Sequence, residues 1–244
     1  RHDRIRVAYL SADFRDHAVA FLIAGLLEEH DRDRIELTGI SFGGGAKTPM
    51  RARIEAACER FIDVRGKSDA AIAAIVRELE IDVAVDLMGH TGDARPGILA
   101  RRPAPVQVNY LGYPGTMGAD CIDYLLADRF VIPGEKRMHY AEKVVWLPDT
   151  FQANDAKRRI ATQVASREDV GLPPQGFVFC CFNNGYKLTP AMFDIWMRLL
   201  RQVPGSVLWL VAGSPMVEAN LRREAAHRHV EPARLVFAPR VPYA

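Results

Sequence analysis

Residues 68–88, SDAAIAAIVRELEIDVAVDLM, decide the fold class. In the first part Ile72, Ile75, Val76 and Leu79 fall at i, i+3, i+4 and i+7, the apolar stripe of an amphipathic helix. Ser68 or Asp69 stands where an N-cap belongs, so the spacing predicts a helix over 68–80. The period then changes. Residues 83–88 (VAVDLM) form a nearly continuous apolar, β-branched run, which reads as a strand buried on both faces. A helix that leads within a few residues into such a strand is half of a βαβ unit, and the flanking sequence repeats the pattern.

Upstream, residues 5–10 (IRVAYL) read as a strand, 18–30 as an apolar-rich helix, 35–42 (IELTGISF) as a strand closed by Gly43-Gly44-Gly45, 50–60 as a helix and 61–64 as a short strand. Downstream come a short helix at 96–101 and strands at 106–111, 124–127 and 144–147. This first block, residues 1–150, is expected to be an α/β domain on a mostly parallel sheet. Residues 151–175 are polar, include Lys157-Arg158-Arg159, and read as a linker or solvated surface segment. A second block, 176–244, starts with a strand at 177–182 (FVFCCF), followed by a helix from Pro190, a strand at 207–211 (VLWLV), a helix near 217–227 and a strand at 235–238. Thr189 caps the helix and Pro190 takes its first turn, with Phe193, Trp196, Leu199, Leu200 and Val203 on its apolar face. Three strands are fewer than a doubly wound domain uses. The chain also opens at Arg1 rather than Met, so it is read as a fragment whose second domain is cut short.

Composition narrows the classes. The 244 residues are 49% hydrophobic and 25% charged, which excludes disordered, collagenous and membrane-spanning chains. A net charge of +2 asks for neither nucleic acid nor an anionic membrane as a partner. Cys58, Cys121, Cys180 and Cys181 form no CxxC pair and no zinc-spaced cluster with histidine. Reduced thiols and the absence of a signal peptide point to the cytoplasm.

In an open parallel sheet, ligands bind beyond the carboxyl ends of the strands. Four loops leave such ends: Ser11–His17 in sequence SADFRDH, Gly89-His90-Thr91-Gly92, Leu111-Gly112-Tyr113-Pro114-Gly115-Thr116, and Asn183-Asn184-Gly185-Tyr186-Lys187. They gather histidine, glycine, asparagine, threonine and lysine. His17 reads either as a turn cap or as a base aimed into the crevice. Lys187, just ahead of a helix start, reads either as a surface lysine or as a diphosphate ligand beside exposed N–H groups. Gly89-His90-Thr91-Gly92 reads either as a simple turn or as part of the site. No GxGxxG succeeds the first strand, no Gly-Lys-Ser/Thr ends the glycine run, and no GxSxG occurs. These absences argue against a dinucleotide dehydrogenase, a P-loop enzyme and an α/β hydrolase. No DxD pair is placed to hold a metal-bound diphosphate, so no metal cofactor is expected.

Read together, the loops resemble one family. Arg102-Pro103-Ala104-Pro105-Val106-Gln107, with Leu111-Gly112-Tyr113-Pro114-Gly115-Thr116, is similar to the RPAP(I/V)Q…LGYPGT signature of the SPINDLY/O-GlcNAc transferase family. Tyr9-Leu10-Ser11-Ala12-Asp13-Phe14 with His17, Phe182-Asn183-Asn184-Gly185-Tyr186-Lys187, and Pro204-Gly205-Ser206-Val207-Leu208-Trp209-Leu210 resemble three further family motifs, in family order. The resemblance implies a GT-B glycosyltransferase, in which two Rossmann-like domains face each other across a cleft, with tetratricopeptide repeats upstream in the complete protein. It implies transfer of N-acetylglucosamine from UDP-GlcNAc to Ser or Thr hydroxyls of a protein acceptor, by inversion and without a metal.

The resemblance also implies roles for single residues. Lys187 would pair with the diphosphate and stabilise the leaving UDP. Asn184 would contact the nucleotide, although the family usually carries glutamine there. Leu111, Gly112 and Pro114 would line the sugar pocket. His17 would sit beside the sugar and the incoming hydroxyl as base or orienting group, and Thr91 with His90 would border the donor. Family relatives also transfer fucose from GDP-fucose or glycosylate asparagine, and a non-catalytic binding module is the reading from a different class.

Overall fold

Two rules of the sequence build the architecture: apolar residues alternate between strand faces, and Ser/Thr-Pro pairs start helices. The computed structural model describes residues 2–45, 47–158, 162 and 164–241. It divides into two compact units, Arg1–Arg158 and Arg159–Ala244.

In the first unit, seven strands form one parallel sheet in the order β3-β2-β1-β4-β5-β6-β7. They are β1 (Ile5–Ser11), β2 (Ile35–Ser41), β3 (Arg60–Asp63), β4 (Val83–Asp86), β5 (Val106–Asn109), β6 (Tyr124–Ala127) and β7 (Lys143–Trp146). Helices α1 (Ala18–Glu28), α2 (Pro49–Ala57), α3 (Asp69–Glu78) and α4 (Pro96–Leu99) connect the first five strands. Val7 and Tyr9 of β1 pack with Ala20, Ile23 and Leu27 of α1 and Ile54 of α2. Ala8 and Leu10, one residue out of phase, pack with Ile72 and Val76 of α3 and Ile98 of α4. The sheet is therefore covered on both faces, and β1 from Val7 onward and β4 have no solvated side, as their nearly continuous apolar runs require.

The chain runs outward from β1 through β2 to β3, then returns to place β4 on the other side of β1. The β1–β4 boundary is thus the point where strand order reverses, and the loops leaving these two strands diverge to open a crevice.

Three helices begin on a Ser/Thr-Pro pair: Thr48-Pro49 at α2, Thr189-Pro190 at α5 (Pro190–Gln202) and Ser214-Pro215 at α6 (Pro215–His227). In each, the hydroxyl accepts a backbone N–H of the first turn. Ser68, not Asp69, caps α3 by accepting the Ala71 N–H.

The second unit has β8 (Val178–Cys181), β9 (Val207–Val211) and β10 (Leu235–Ala238) in one parallel sheet of order β10-β9-β8. Leu208, Leu210 and Leu235 pack against Phe193, Met197 and Leu200 of α5 and Ala225 of α6. The α/β class with two parallel sheets is the one expected from the sequence. Among the described residues, no helix is long and apolar enough to cross a membrane.

Two strands end earlier than their apolar runs suggest. The run to Met88 stops pairing at Asp86, whose carboxylate accepts the N–H groups of Met88 and Gly89 and takes them from the ladder. The run to Leu111 stops at Asn109, and Leu111 turns the chain with φ of +67°. Residues 151–157 lie on the first unit: Tyr110 donates its hydroxyl to the Phe151 carbonyl, and Arg53 joins Glu28 and Asp155. Lys157 bridges Glu28 and Glu29. Of the basic run, Arg159 lies outside the described residues.

Candidate active site

The first candidate site forms where β1 and β4 release their loops. A cavity of about 250 Å³ is lined by Asp13, Arg15, His17, Val19, Thr91, Gly92, Asp93 and Gly112. Of the residues expected from the sequence, it brings together His17, Thr91 and Gly112.

The β1 loop supplies the titratable groups. Asp13 is 6% exposed, and its own N–H donates to the Ser11 hydroxyl at 2.9 Å. Its carboxylate meets Arg15 Nη2 at 3.2 Å and His17 Nδ1 at 3.3 Å. His17 is the N-cap of α1, in extended backbone, with Nδ1 3.3 Å from the Val19 N–H nitrogen. His17 thus occupies the position of the turn-cap reading, and the same ring lines the cavity.

The β4 loop is anchored from below by Asp86, which is 6% exposed. Burial pushes its carboxyl up to about 6, partly offset by the Gly89 and Met88 N–H groups and by His90. Thr91 donates its hydroxyl to the Met88 carbonyl at 2.8 Å. His90 is exposed, donates from Nε2 to the Met117 carbonyl at 3.2 Å, and sets its ring edge-on to Tyr113. It therefore braces the neighbouring loop and does not line the cavity.

The raised Asp86 pKa fixes the sign of a pH effect. The folded state binds this proton more tightly than the unfolded chain, whose carboxyl titrates near 3.8. The stability contribution is full below that value and is lost as pH rises through about 6, at a cost of about 3 kcal/mol. From pH 7 to pH 5 the melting temperature of the native chain should therefore rise relative to that of Asp86→Asn. Parallel melting curves for the two proteins across this range would show that Asp86 does not titrate there.

The β5 loop carries the LGYPGT segment. Gly112 N–H bonds the Tyr110 carbonyl two residues back at 2.8 Å, closing a γ-turn around Leu111. A positive φ in such a turn is strained for a leucine. The Leu111 side chain is buried in the core with Tyr110, and Pro114 is exposed at the loop tip, so neither lines the cavity. Asn109 donates from Nδ2 to the Tyr113 and Gly115 carbonyls. Glu142, 1% exposed, accepts the Thr116 hydroxyl at 2.8 Å and the Met117 N–H at 2.6 Å.

Gly112 sits so close to β4 that an added Cβ would lie 1.9 Å from the Leu87 carbonyl oxygen. Since the obstacle is backbone, Gly112→Ala should destabilise by about 2–3 kcal/mol and lower the melting temperature by roughly 5–10 °C. An unchanged melt would mean that the loop is not seated on Leu87.

The second candidate site lies in the second unit, at the carboxyl ends of β8 and β9. Asn183, Gly185, Leu188, Gly213 and Arg240 line a cavity of about 50 Å³. Gly185–Lys187 forms one 3₁₀ turn, and Thr189 then opens α5. Lys187 is exposed, and its ammonium has no hydrogen-bond or ion-pair partner among the described residues. Asn184 Oδ1 accepts from Arg240 Nη2 at 2.9 Å.

Sequence reasoning did not single out Asp13, Arg15, Asp86, Asn109, Glu142 or Arg240. The spacing of Asp13 and His17 was a usable signal, because an acidic residue at a strand end falls within reach of a helix-capping histidine four positions on.

A family model described as Glycosyl transferase family 41 matches residues 1–163 and 153–243. An Arabidopsis thaliana protein named probable UDP-N-acetylglucosamine–peptide N-acetylglucosaminyltransferase SEC is 37% identical over 239 residues, which is 96% of this chain and 24% of its own. The Arabidopsis thaliana SPINDLY protein, named for the same probable activity, is 35% identical over 212 residues, 84% of this chain and 22% of its own. The chain thus spans about a quarter of the length of these relatives. Among solved structures, a mutant O-GlcNAc transferase from Thermobaculum terrenum matches with a TM-score of 0.88 at 30% identity, covering 99% of this chain and 45% of that one. Anabaena Alr3699/HepE, solved with UDP and glucose, shares the fold with a TM-score of 0.54 at 12% identity, over 98% of this chain and 70% of its own.

Proposed function

Because the chain belongs to glycosyl transferase family 41, we propose that the full-length protein transfers N-acetylglucosamine from UDP-GlcNAc to Ser or Thr hydroxyls of proteins, inverting the anomeric centre without a metal. The observation that carries this reading is the cavity at the β1–β4 crossover, where His17, backed by the buried Asp13, shares one wall with Thr91 and Gly112.

In this mechanism the acceptor hydroxyl oxygen attacks the anomeric carbon as the bond to UDP breaks. The hydroxyl proton passes to Nε2 of His17, the ring nitrogen turned away from Asp13, which acts as general base. The departing diphosphate gains negative charge, and Lys187, with no hydrogen-bond or ion-pair partner among the described residues, supplies the compensating cation. Exposed N–H groups at the start of α5 add to that field. Asn184 contacts the nucleotide after Arg240 releases its amide oxygen. Leu111 acts on the sugar through the backbone turn that sets Gly112, and Pro114 and His90 shape the loop rim. Upstream tetratricopeptide repeats select the acceptor protein.

Calorimetric titration of the full-length protein with UDP and GDP, in metal-free buffer, tests the donor. Tight UDP binding without added metal is expected. A preference for GDP would move the donor to a fucose type, and binding of neither would favour a non-catalytic module.

A further inference from the structure

His17 Nδ1 faces two demands of opposite polarity. It lies 3.3 Å from a carboxylate oxygen of Asp13, which asks for a proton on the ring nitrogen. It also lies 3.3 Å from the Val19 nitrogen, whose N–H asks for a lone pair. A neutral imidazole satisfies only one of them. The choice decides what the opposite nitrogen is: with the proton on Nδ1, Nε2 is a base, and with the lone pair on Nδ1, Nε2 carries a hydrogen and can only donate.

We propose that Asp13 is the positioning residue for His17, holding the tautomer in which Nδ1 carries the proton and Nε2 is free to accept one. The inference rests on the transferase reading for its catalytic consequence, but not for the tautomer itself.

The energetic comparison favours Asp13. Its carboxylate is almost fully buried, with Arg15 beside one oxygen and the His17 ring beside the other. Leaving that second oxygen unpaired costs the desolvation of a charged group, more than that of a neutral one, and a charge-assisted hydrogen bond is about twice as strong as a neutral one. The Val19 N–H, by contrast, is a neutral donor at a helix start on a half-buried residue, and leaving it to water costs less than leaving a carboxylate oxygen without a donor. When Nε2 takes a proton, the imidazolium still donates to Asp13, so one contact orients the base and stabilises its conjugate acid.

Arg15 determines what Asp13→Asn would do. Its guanidinium beside Oδ1 requires an acceptor there, so the asparagine would place its oxygen toward Arg15 and its NH₂ toward His17. That NH₂ needs a lone pair on Nδ1 and moves the ring hydrogen to Nε2.

The test is ¹⁵N NMR of the histidine-labelled full-length protein, with the His17 signals assigned by their loss in His17→Gln. The expected spectrum has a protonated Nδ1 and an unprotonated Nε2 in the native protein, reversed in Asp13→Asn. Finding the hydrogen on Nε2 in the native protein would overturn the proposal. The kinetic counterpart is a fall in kcat of order 10²-fold or more in Asp13→Asn, with UDP affinity unchanged. On a His17→Ala background the same substitution should add less than about 2-fold, because coupled residues are not additive. A native rate in Asp13→Asn, or losses that multiply in the double variant, would also overturn it. If the native protein neither binds UDP nor transfers sugar, the transferase reading fails, while the spectrum still decides the tautomer.

Discussion

Replacing Lys187 with alanine in the full-length protein is expected to weaken UDP binding and to cut turnover about 10²-fold or more, as for the loss of a preorganised electrostatic donor. The structure makes this a clean measurement. Lys187 closes the 3₁₀ turn before α5, is exposed, and has no hydrogen-bond or ion-pair partner among the described residues. Removing its side chain therefore leaves no buried group unpaired, and the melting temperature should not move. UDP affinity measured by calorimetry should fall more than uridine affinity, because the lost partner is the diphosphate. Native turnover in the variant would remove Lys187 from the donor site.

His17→Ala should behave in the opposite sense. The rate of transfer is expected to fall by about 10²–10⁴-fold, the range for loss of a general base, with UDP affinity nearly unchanged. The substitution also removes the ring that the buried Asp13 carboxylate faces, a stability cost that a melting curve separates from catalysis. If UDP affinity collapsed instead, His17 would be a donor ligand or only a structural cap. Measured side by side, Lys187→Ala and His17→Ala divide binding from chemistry.

Much of the framework was legible because it is local. The stripe of α3, the Thr189-Pro190 start of α5 and the apolar runs of β1, β4 and β9 each come from a few neighbouring residues. The strand ends were not, because side chains set them: the Asp86 carboxylate takes the Met88 and Gly89 N–H groups from a run whose apolar pattern continues. At the candidate sites, His17, Thr91 and Gly112 were legible because each lies in a loop leaving the carboxyl end of a strand. Their supports were hidden by distance along the chain. Glu142 holds Thr116 from 26 residues away, Arg240 reaches Asn184 across 56, and Arg53 meets Asp155 across 102. No periodicity reports such pairs. Asp13 was the exception, near in sequence but disguised as an ordinary turn aspartate.

The way the first unit suspends its loops has a consequence for how this protein can change. Asp86 and Asn109 at the ends of β4 and β5, and Glu142 just ahead of β7, grip the two loops by backbone groups of Met88, Gly89, Tyr113, Gly115 and Met117 and by the Thr116 hydroxyl. Apart from Thr116, the grip thus falls on the main chain, which every amino acid shares, and away from the rim side chains of Thr91, Asp93 and Pro114. Exchanges at the rim leave those fastenings in place and draw little on a stability reserve of only about 5–15 kcal/mol. The chain can therefore explore new substrate preferences by drift at the rim while its scaffold stays intact, so the fold is evolvable at the positions that face what it binds.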